Sequence, residues 1–129
     1  MRARLYYHLI WTTRFRAAMI DHRIAEFLGE FLPAVARQER AQILEMGIVR
    51  THIHVLLACH PTTSLPRLVQ RLKGGSSVIA HKEGHVRHGM LFAWAKGYNI
   101  ETVSAGALSK VKAYIRGQAR HHPRDAIPG

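Results

Sequence analysis

Two histidines one residue apart, His52-Ile53-His54, sit inside the apolar run from Ile48 to Cys59. An extended chain turns residues i and i+2 to the same side. Both imidazoles then face one way, while Ile53, Val55 and Leu57 face the other and can enter a core. Two imidazoles converging from a rigid strand are two-thirds of a facial metal site, a geometry that leaves positions open for substrate. The bland alternative is a pair of strand histidines that simply face solvent. A second group lies near the C-terminus. Tyr114 and Gln118 are four residues apart, which on a helix puts them on one face. Lys110 and His121 extend that polar stripe, and Leu108, Val111 and Ile115 form a separate apolar edge able to dock the helix. A polar stripe of this kind is unusual on a terminal helix whose only task is packing.

These residues need elements to hold them. Leu5 to Thr13 is rich in aromatic and β-branched residues and reads as a strand, apolar on both faces and therefore central in its sheet. Asp21 can cap a helix from about His22 to Gln38, with Ile24, Phe27, Leu28, Phe31 and Val35 at helical spacing and Pro33 as a point where it could kink. Ala41 to Val49 and Thr51 to Cys59 read as two further strands, with Gly47 as a candidate bulge. Ser64 begins a second helix with Pro66 in its first turn, and Gly74-Gly75 either interrupts it or permits a close backbone approach. Glu83 to Met90 reads as a polar loop, Leu91 to Val103 as a strand or two strand fragments, and Ser109 to His121 as a last helix. From about residue 122 the prolines and glycine predict a loose tail. The order is βαββαβ plus a terminal helix. That predicts an α+β fold of the ferredoxin-like or RRM-like kind within residues 1–129, an antiparallel sheet with helices on one face and the other face open.

Composition narrows the partner. Nineteen Lys and Arg stand against eight Asp and Glu, a formal charge of +11, and most of the basic residues are arginine, whose planar fork suits phosphates. Arg14, Arg16, Arg67, Arg71 and Lys73 are the candidate phosphate contacts; as a bland alternative, they form a solvated face. No apolar run is long enough to span a membrane. Met1-Arg2-Ala3-Arg4 leads into the first strand without a signal-peptide pattern, and Cys59 is the only cysteine, so a reducing, cytoplasmic setting is expected. His8, His22, His60, His81, His85, His88 and His122 read as structural or surface residues, and His121 as a surface or phosphate contact.

The strand Thr51-His52-Ile53-His54-Val55-Leu56-Leu57-Ala58 resembles the His-hydrophobic-His motif of HUH endonucleases. The helix Tyr114-Ile115-Arg116-Gly117-Gln118 resembles the Tyr-x-x-x-Gln helix of the single-tyrosine HUH transposases. These are small insertion-sequence transposases acting on single-stranded DNA, with the REP-associated tyrosine transposases beside them. Tyr7 to Arg14, Leu68 to Gly74, Trp94 to Tyr98 and Thr102 to Ser104 are similar to further segments of that family. The similarity runs from about residue 5 to 122 in the right order. Thr51 departs from it, since Asp or Asn often precedes the first histidine.

The resemblance implies that His52, His54 and Gln118 bind one divalent metal, Mg²⁺ or Mn²⁺. It implies that Tyr114 is the nucleophile, forming a 5′-phosphotyrosine and freeing a 3′-OH. It also implies hairpin-ended single-stranded DNA as substrate and a homodimer, commonly with the tyrosine helix completing the partner's site. A free phenol has a pKa of about 10 and is scarcely ionised at pH 7. Lys110, one turn from Tyr114, is our own candidate for favouring the phenolate. Two rivals share the fold: a non-catalytic single-strand binder, and an HUH nuclease that cleaves without transposition.

Overall fold

A computed structural model describes residues 4–128; Met1-Arg2-Ala3, part of the segment read as lacking a signal pattern, and Gly129 of the tail lie outside it. The chain runs β1 (Leu5–Thr12), α1 (His22–Gln38), β2 (Ala41–Ile48), β3 (His52–Cys59), α2 (Leu65–Gln70), a π-helical turn (Arg71–Gly75), α3 (Ser76–Lys82) and β4 (Asn99–Val103). It ends with α4 (Leu108–Arg116) and α5 (Gln118–His121). The four strands form one antiparallel sheet in the order β2-β3-β1-β4. This is the expected α+β arrangement, and the two most apolar runs, β1 and β3, are its inner strands. Among the described residues, no helix is long and apolar enough to cross a membrane.

Side-chain alternation sorts the strands' residues between two faces. Leu9 and Trp11 from β1 and Ile53, Val55 and Leu57 from β3 are fully or almost fully buried. They pack with Ile24, Leu28, Leu32 and Val35 of α1 and with Leu68, Val69 and Leu72 of the second helical segment. Each such aliphatic side chain contributes about 1.5–3 kcal/mol on burial. Asp21 caps α1 by accepting the Ile24 N–H at 2.9 Å, and Pro33 leaves α1 as one element. Ser64 caps α2 by accepting the Arg67 N–H, with proline in the first turn as expected.

The structure corrects several boundaries. The bulge in β2 falls between Ile43 and Glu45, where the register shifts, and not at Gly47. Gly74-Gly75 does not interrupt the second helix; the chain passes through it in a π-helical turn, and a Cβ on Gly75 would stand 3.2 Å from Phe31 Cζ. That is the close approach which glycine permits. Of Leu91 to Val103 only Asn99–Val103 is a strand, with Trp94 adding an isolated bridge to Thr13. The last helix breaks at Gly117 into α4 and α5. The segment after residue 122 is docked rather than loose: the Arg50 N–H donates to the Asp125 carbonyl at 2.7 Å, and Ile127 packs against the core.

Candidate active site

The histidine pair lies on the sheet face opposite the helical core. That face is not open, because α4 and α5 lie across β2 and β3. His52 and His54 are 4% and 5% exposed, which removes the solvent-facing alternative. Gly47 is what lets the terminal helix come so near. A Cβ there would stand 2.4 Å from the Ile115 carbonyl oxygen and 2.9 Å from Gln118 Cγ. The glycine in β2 is thus a docking notch for the helix. Ile115 is fully buried beside it, and Arg116 pairs with Glu45 at 2.7 Å. This seating leaves Tyr114 44% exposed at the rim.

Both imidazoles are held from behind. Thr51 Oγ1 lies 3.0 Å from His52 Nδ1, and His8 Nε2 lies 2.8 Å from His54 Nδ1. A ring whose Nδ1 donates its proton to such a partner keeps a lone pair on Nε2. His52 Nε2 faces Gln118 Oε1 at 3.4 Å, and Gln118 Nε2 donates to the Tyr114 carbonyl at 3.3 Å. That bond turns the amide so that its oxygen looks inward. Gln118 itself is 1% exposed. Around the donors stand aromatic rings. The Tyr114 ring centroid is 5.8 Å from that of His54 and 6.3 Å from that of His8, and its ring stacks on His121 at 5.2 Å. His122 meets His52 edge-on at 5.1 Å.

Burial pulls all three strand imidazoles below the ordinary histidine range. His54 falls to about 3, chiefly by desolvation and further through its neighbours His8, His52 and His122. Desolvation also lowers His52, with the Gln118 hydrogen bond opposing it, and lowers His8, with Glu101 opposing it. Near pH 7 the site therefore presents neutral rings, the form that coordinates metal. Among the described residues, no three His, Cys, Asp or Glu side chains are grouped to hold an ion. A metal site on this face needs the Gln118 amide as a third donor. Two donors each about 2.1 Å from one ion stand roughly 3.0–3.4 Å apart on adjacent vertices. The spacing of His52 Nε2 and Gln118 Oε1 falls in that interval, so this pair is spaced as two donors to one divalent cation are.

The basic candidates divide. Arg14 and Arg16 are exposed on a short 3-10 turn at the end of β1. Arg67 and Arg71 instead share Glu39, at 3.0 and 2.7 Å, in the helical layer. Lys73 is turned into the fold, donating to the Ala95 and Gly97 carbonyls at 2.9 and 2.6 Å. The Lys110 side chain is exposed, with no hydrogen bond or ion pair to Tyr114 among the described residues. Sequence reasoning missed His8. It shares a strand face with Tyr6 and Ile10, but only the β1–β3 register, pairing Ile10 with His54, brings it diagonally onto the histidine pair. His122 was missed because it lies in the tail.

Residues 2–118 match the family described as "Transposase IS200 like". The chain is 29% identical over 117 residues to the ISDra2 transposase TnpA of Deinococcus radiodurans, covering 88% of this chain and 84% of that protein. It is 26% identical over 115 residues to the transposase of insertion sequence element IS200 from Salmonella typhimurium, covering 87% and 75%. Two solved structures share the fold. One is a putative transposase from Deinococcus radiodurans, with a TM-score of 0.69 at 23% identity, covering 99% of this chain and 95% of that one. The other is a REP-associated tyrosine transposase bound to a REP hairpin, with a TM-score of 0.71 at 12% identity, covering 95% and 72%. With a family match over nearly its whole length, this chain belongs to the IS200-like transposases.

Proposed function

We propose that this transposase cleaves and rejoins single-stranded DNA through a covalent bond between Tyr114 and a 5′ phosphate. One observation carries the reading: within a single chain, Tyr114 stands beside the buried donor set of His52, His54 and Gln118. Tyr114 Oη gives up its proton to solvent and attacks the scissile phosphorus, the bond to the 3′ oxygen breaks, and that oxygen takes a proton from solvent and leaves as a 3′-OH. Attack by a second 3′-OH reverses the step. One phosphodiester is exchanged for another, so rejoining needs no nucleotide hydrolysis.

His52, His54 and Gln118 would hold one divalent ion, Mg²⁺ or Mn²⁺, and imidazole favours Mn²⁺. When bound, such an ion polarises the phosphate and offsets charge on the leaving oxygen. His8 and Thr51 orient the two rings, so the hydroxyl at position 51 serves where the family often has Asp or Asn. Lys110, four residues before Tyr114 and unpaired among the described residues, is the group we assign to favouring the phenolate. The substrate in this reading is hairpin-ended DNA, held in part by Arg14 and Arg16, and the working form is a homodimer. The neighbouring fold of a REP-associated tyrosine transposase bound to a REP hairpin supports the choice of substrate.

The test is incubation with hairpin oligonucleotides and Mn²⁺, followed by denaturing electrophoresis. A covalent protein–DNA band is expected, and Tyr114→Phe should remove it. A band that survives Tyr114→Phe, or no band with wild type on any hairpin, sinks the assignment. Lys110→Ala should slow cleavage more at pH 7 than at pH 9; equal loss at both removes its role.

A further inference from the structure

The turn Arg14-Phe15-Arg16 follows the end of β1. Phe15 is 84% exposed, the most exposed large apolar side chain among the described residues. It packs on nothing in the core; its one aromatic contact is with Arg14, whose guanidinium carbon lies 5.2 Å from the ring centroid. Phe15 and Arg16 both adopt left-handed backbone, with φ of 59° and 52°. Two consecutive non-glycine residues in that region are strained, and such strain persists only where surrounding structure imposes it.

Here the imposing structure is visible. Thr13 N–H donates to the Thr51 carbonyl at 2.8 Å, Arg14 N–H to Ala93 at 2.9 Å and Arg16 N–H to Thr13 at 3.0 Å. The Thr13 hydroxyl donates to the Ala17 carbonyl at 2.6 Å, closing the turn. The turn is therefore tied to Thr51, the residue whose hydroxyl holds His52. Its position relative to the catalytic face is set by backbone hydrogen bonds rather than by a free loop. An exposed phenyl flanked in sequence by two exposed arginines, on a turn tied by backbone hydrogen bonds to Thr51, matches one ligand chemistry: a flat unpaired base with a phosphate on each side. Aromatic rings gain from stacking on any base, because every base has a π-face, and arginines track the backbone.

The geometry points to Phe15 as a stacking platform for an unpaired nucleobase next to the scissile phosphate, with Arg14 and Arg16 on the flanking phosphates. This inference rests on the single-stranded substrate proposed above. It adds a positioning residue that holds the strand in register with Tyr114. A fully paired duplex offers no free base face, so the platform discriminates single strands from double strands.

Equilibrium binding tests this without chemistry. In the Tyr114→Phe background and without metal, fluorescence anisotropy would follow a labelled 20-nucleotide single strand of mixed sequence, and the same strand annealed to its complement. Phe15→Ala should weaken single-strand binding by roughly 5- to 100-fold, the range for loss of one stacked base. Phe15→Trp should restore it and Phe15→Leu should not. The slope of affinity against salt should stay unchanged, since no phosphate contact is lost. Duplex binding should change less than twofold. The inference is overturned if Phe15→Ala binds the single strand like its parent, if Phe15→Leu rescues as well as Phe15→Trp, or if single strand and duplex weaken equally. If wild type forms the Tyr114 adduct on hairpin DNA but Phe15→Ala leaves single-strand binding at the parent's level, only the platform is condemned. A parent that binds no single strand condemns the substrate assignment as well.

Discussion

The two faces of β3 differ in what their burial accomplishes. All eight residues from His52 to Cys59 are buried. Ile53, Val55 and Leu57 meet the aliphatic side of α1 and the second helical segment, where the contacts are apolar and interchangeable in kind. His52 and His54, alternating with them, are covered by the terminal helices and are satisfied one atom at a time, by Thr51, His8 and Gln118. In the proposed function, alternation along one strand therefore separates folding from chemistry. Substitutions on one face should mainly change stability, and substitutions on the other should mainly change activity. That separation also explains why the basic residues divide. Arg67 and Arg71 belong to the helical layer and pair with Glu39, whereas Arg14 and Arg16 are exposed at the end of β1 and make no ion pair among the described residues.

The strongest way to break the comparison is to exchange the outcomes. Leu57→Ala should cost about 2–5 kcal/mol in urea unfolding while the surviving folded protein still forms the tyrosine adduct. His54→Ala should lower adduct formation by at least about 100-fold with a smaller loss of stability. If Leu57→Ala abolishes the adduct in protein that is still folded, the faces are not separate. A sharper probe is Gly47→Ala, because the new methyl must push against the Ile115 carbonyl 2.4 Å away. Displacing the tyrosine helix by about an ångström should cost on the order of 100-fold in cleavage, with about 1–3 kcal/mol of stability lost to overpacking. Near-normal cleavage would show that the helix need not sit in this notch.

His8→Ala should weaken Mn²⁺ binding by roughly 10- to 100-fold, the usual effect of removing a group that orients a ligand, while leaving the fold intact. Titration calorimetry reads this directly, and His8→Gln should recover part of the loss. The pH dependence of stability follows from the same burial. His54 is held near 3 when folded and near 6.5 when unfolded, so between those values the unfolded chain binds a proton that the native chain refuses. Stability should be complete above about pH 6.5 and fall as pH decreases, by at most about 1.4 kcal/mol per pH unit for this group. Glu39, lowered chiefly by its Arg71 hydrogen bond, acts in a separate window. Its contribution is present above the ordinary carboxylate range and is lost only below it. Urea midpoints at pH 7, 5.5 and 3 should resolve the two, and His54→Asn should reduce the upper slope while leaving the part due to His8 and His52.

The smallest expected effect concerns the arginines. Arg16→Ala should weaken single-strand binding several-fold and reduce the salt slope by about one, whereas Arg67→Ala should change binding less than twofold.

Strand and helix positions were legible where periodicity and local signals agreed. The β1 and β3 runs, the Asp21 cap before His22 and the Ser64 cap with Pro66 all came out within a residue or so. The same was true of the pairing of His52 with His54, since a strand's alternation is a local property of the backbone. Other features were not legible because they depend on which strand lies beside which, and in what register. Gly47 looked like a bulge from its own neighbourhood, yet its missing side chain matters only because Ile115, far along the chain, crosses it. The polarity of Arg71 and Lys73 suggested phosphates, but only tertiary packing determined that Glu39 and two backbone carbonyls use those charges first.

By itself, then, the sequence determined the element order, the two-histidine face and the Tyr114–Gln118 row, each a consequence of short-range geometry. The tertiary structure alone decided that these meet within one chain. It also decided that His8 backs His54 and that Arg14, Phe15 and Arg16 are anchored through Thr51. Strand register and helix docking join residues far apart in the chain, and those contacts are set by how whole surfaces pack rather than by any local pattern.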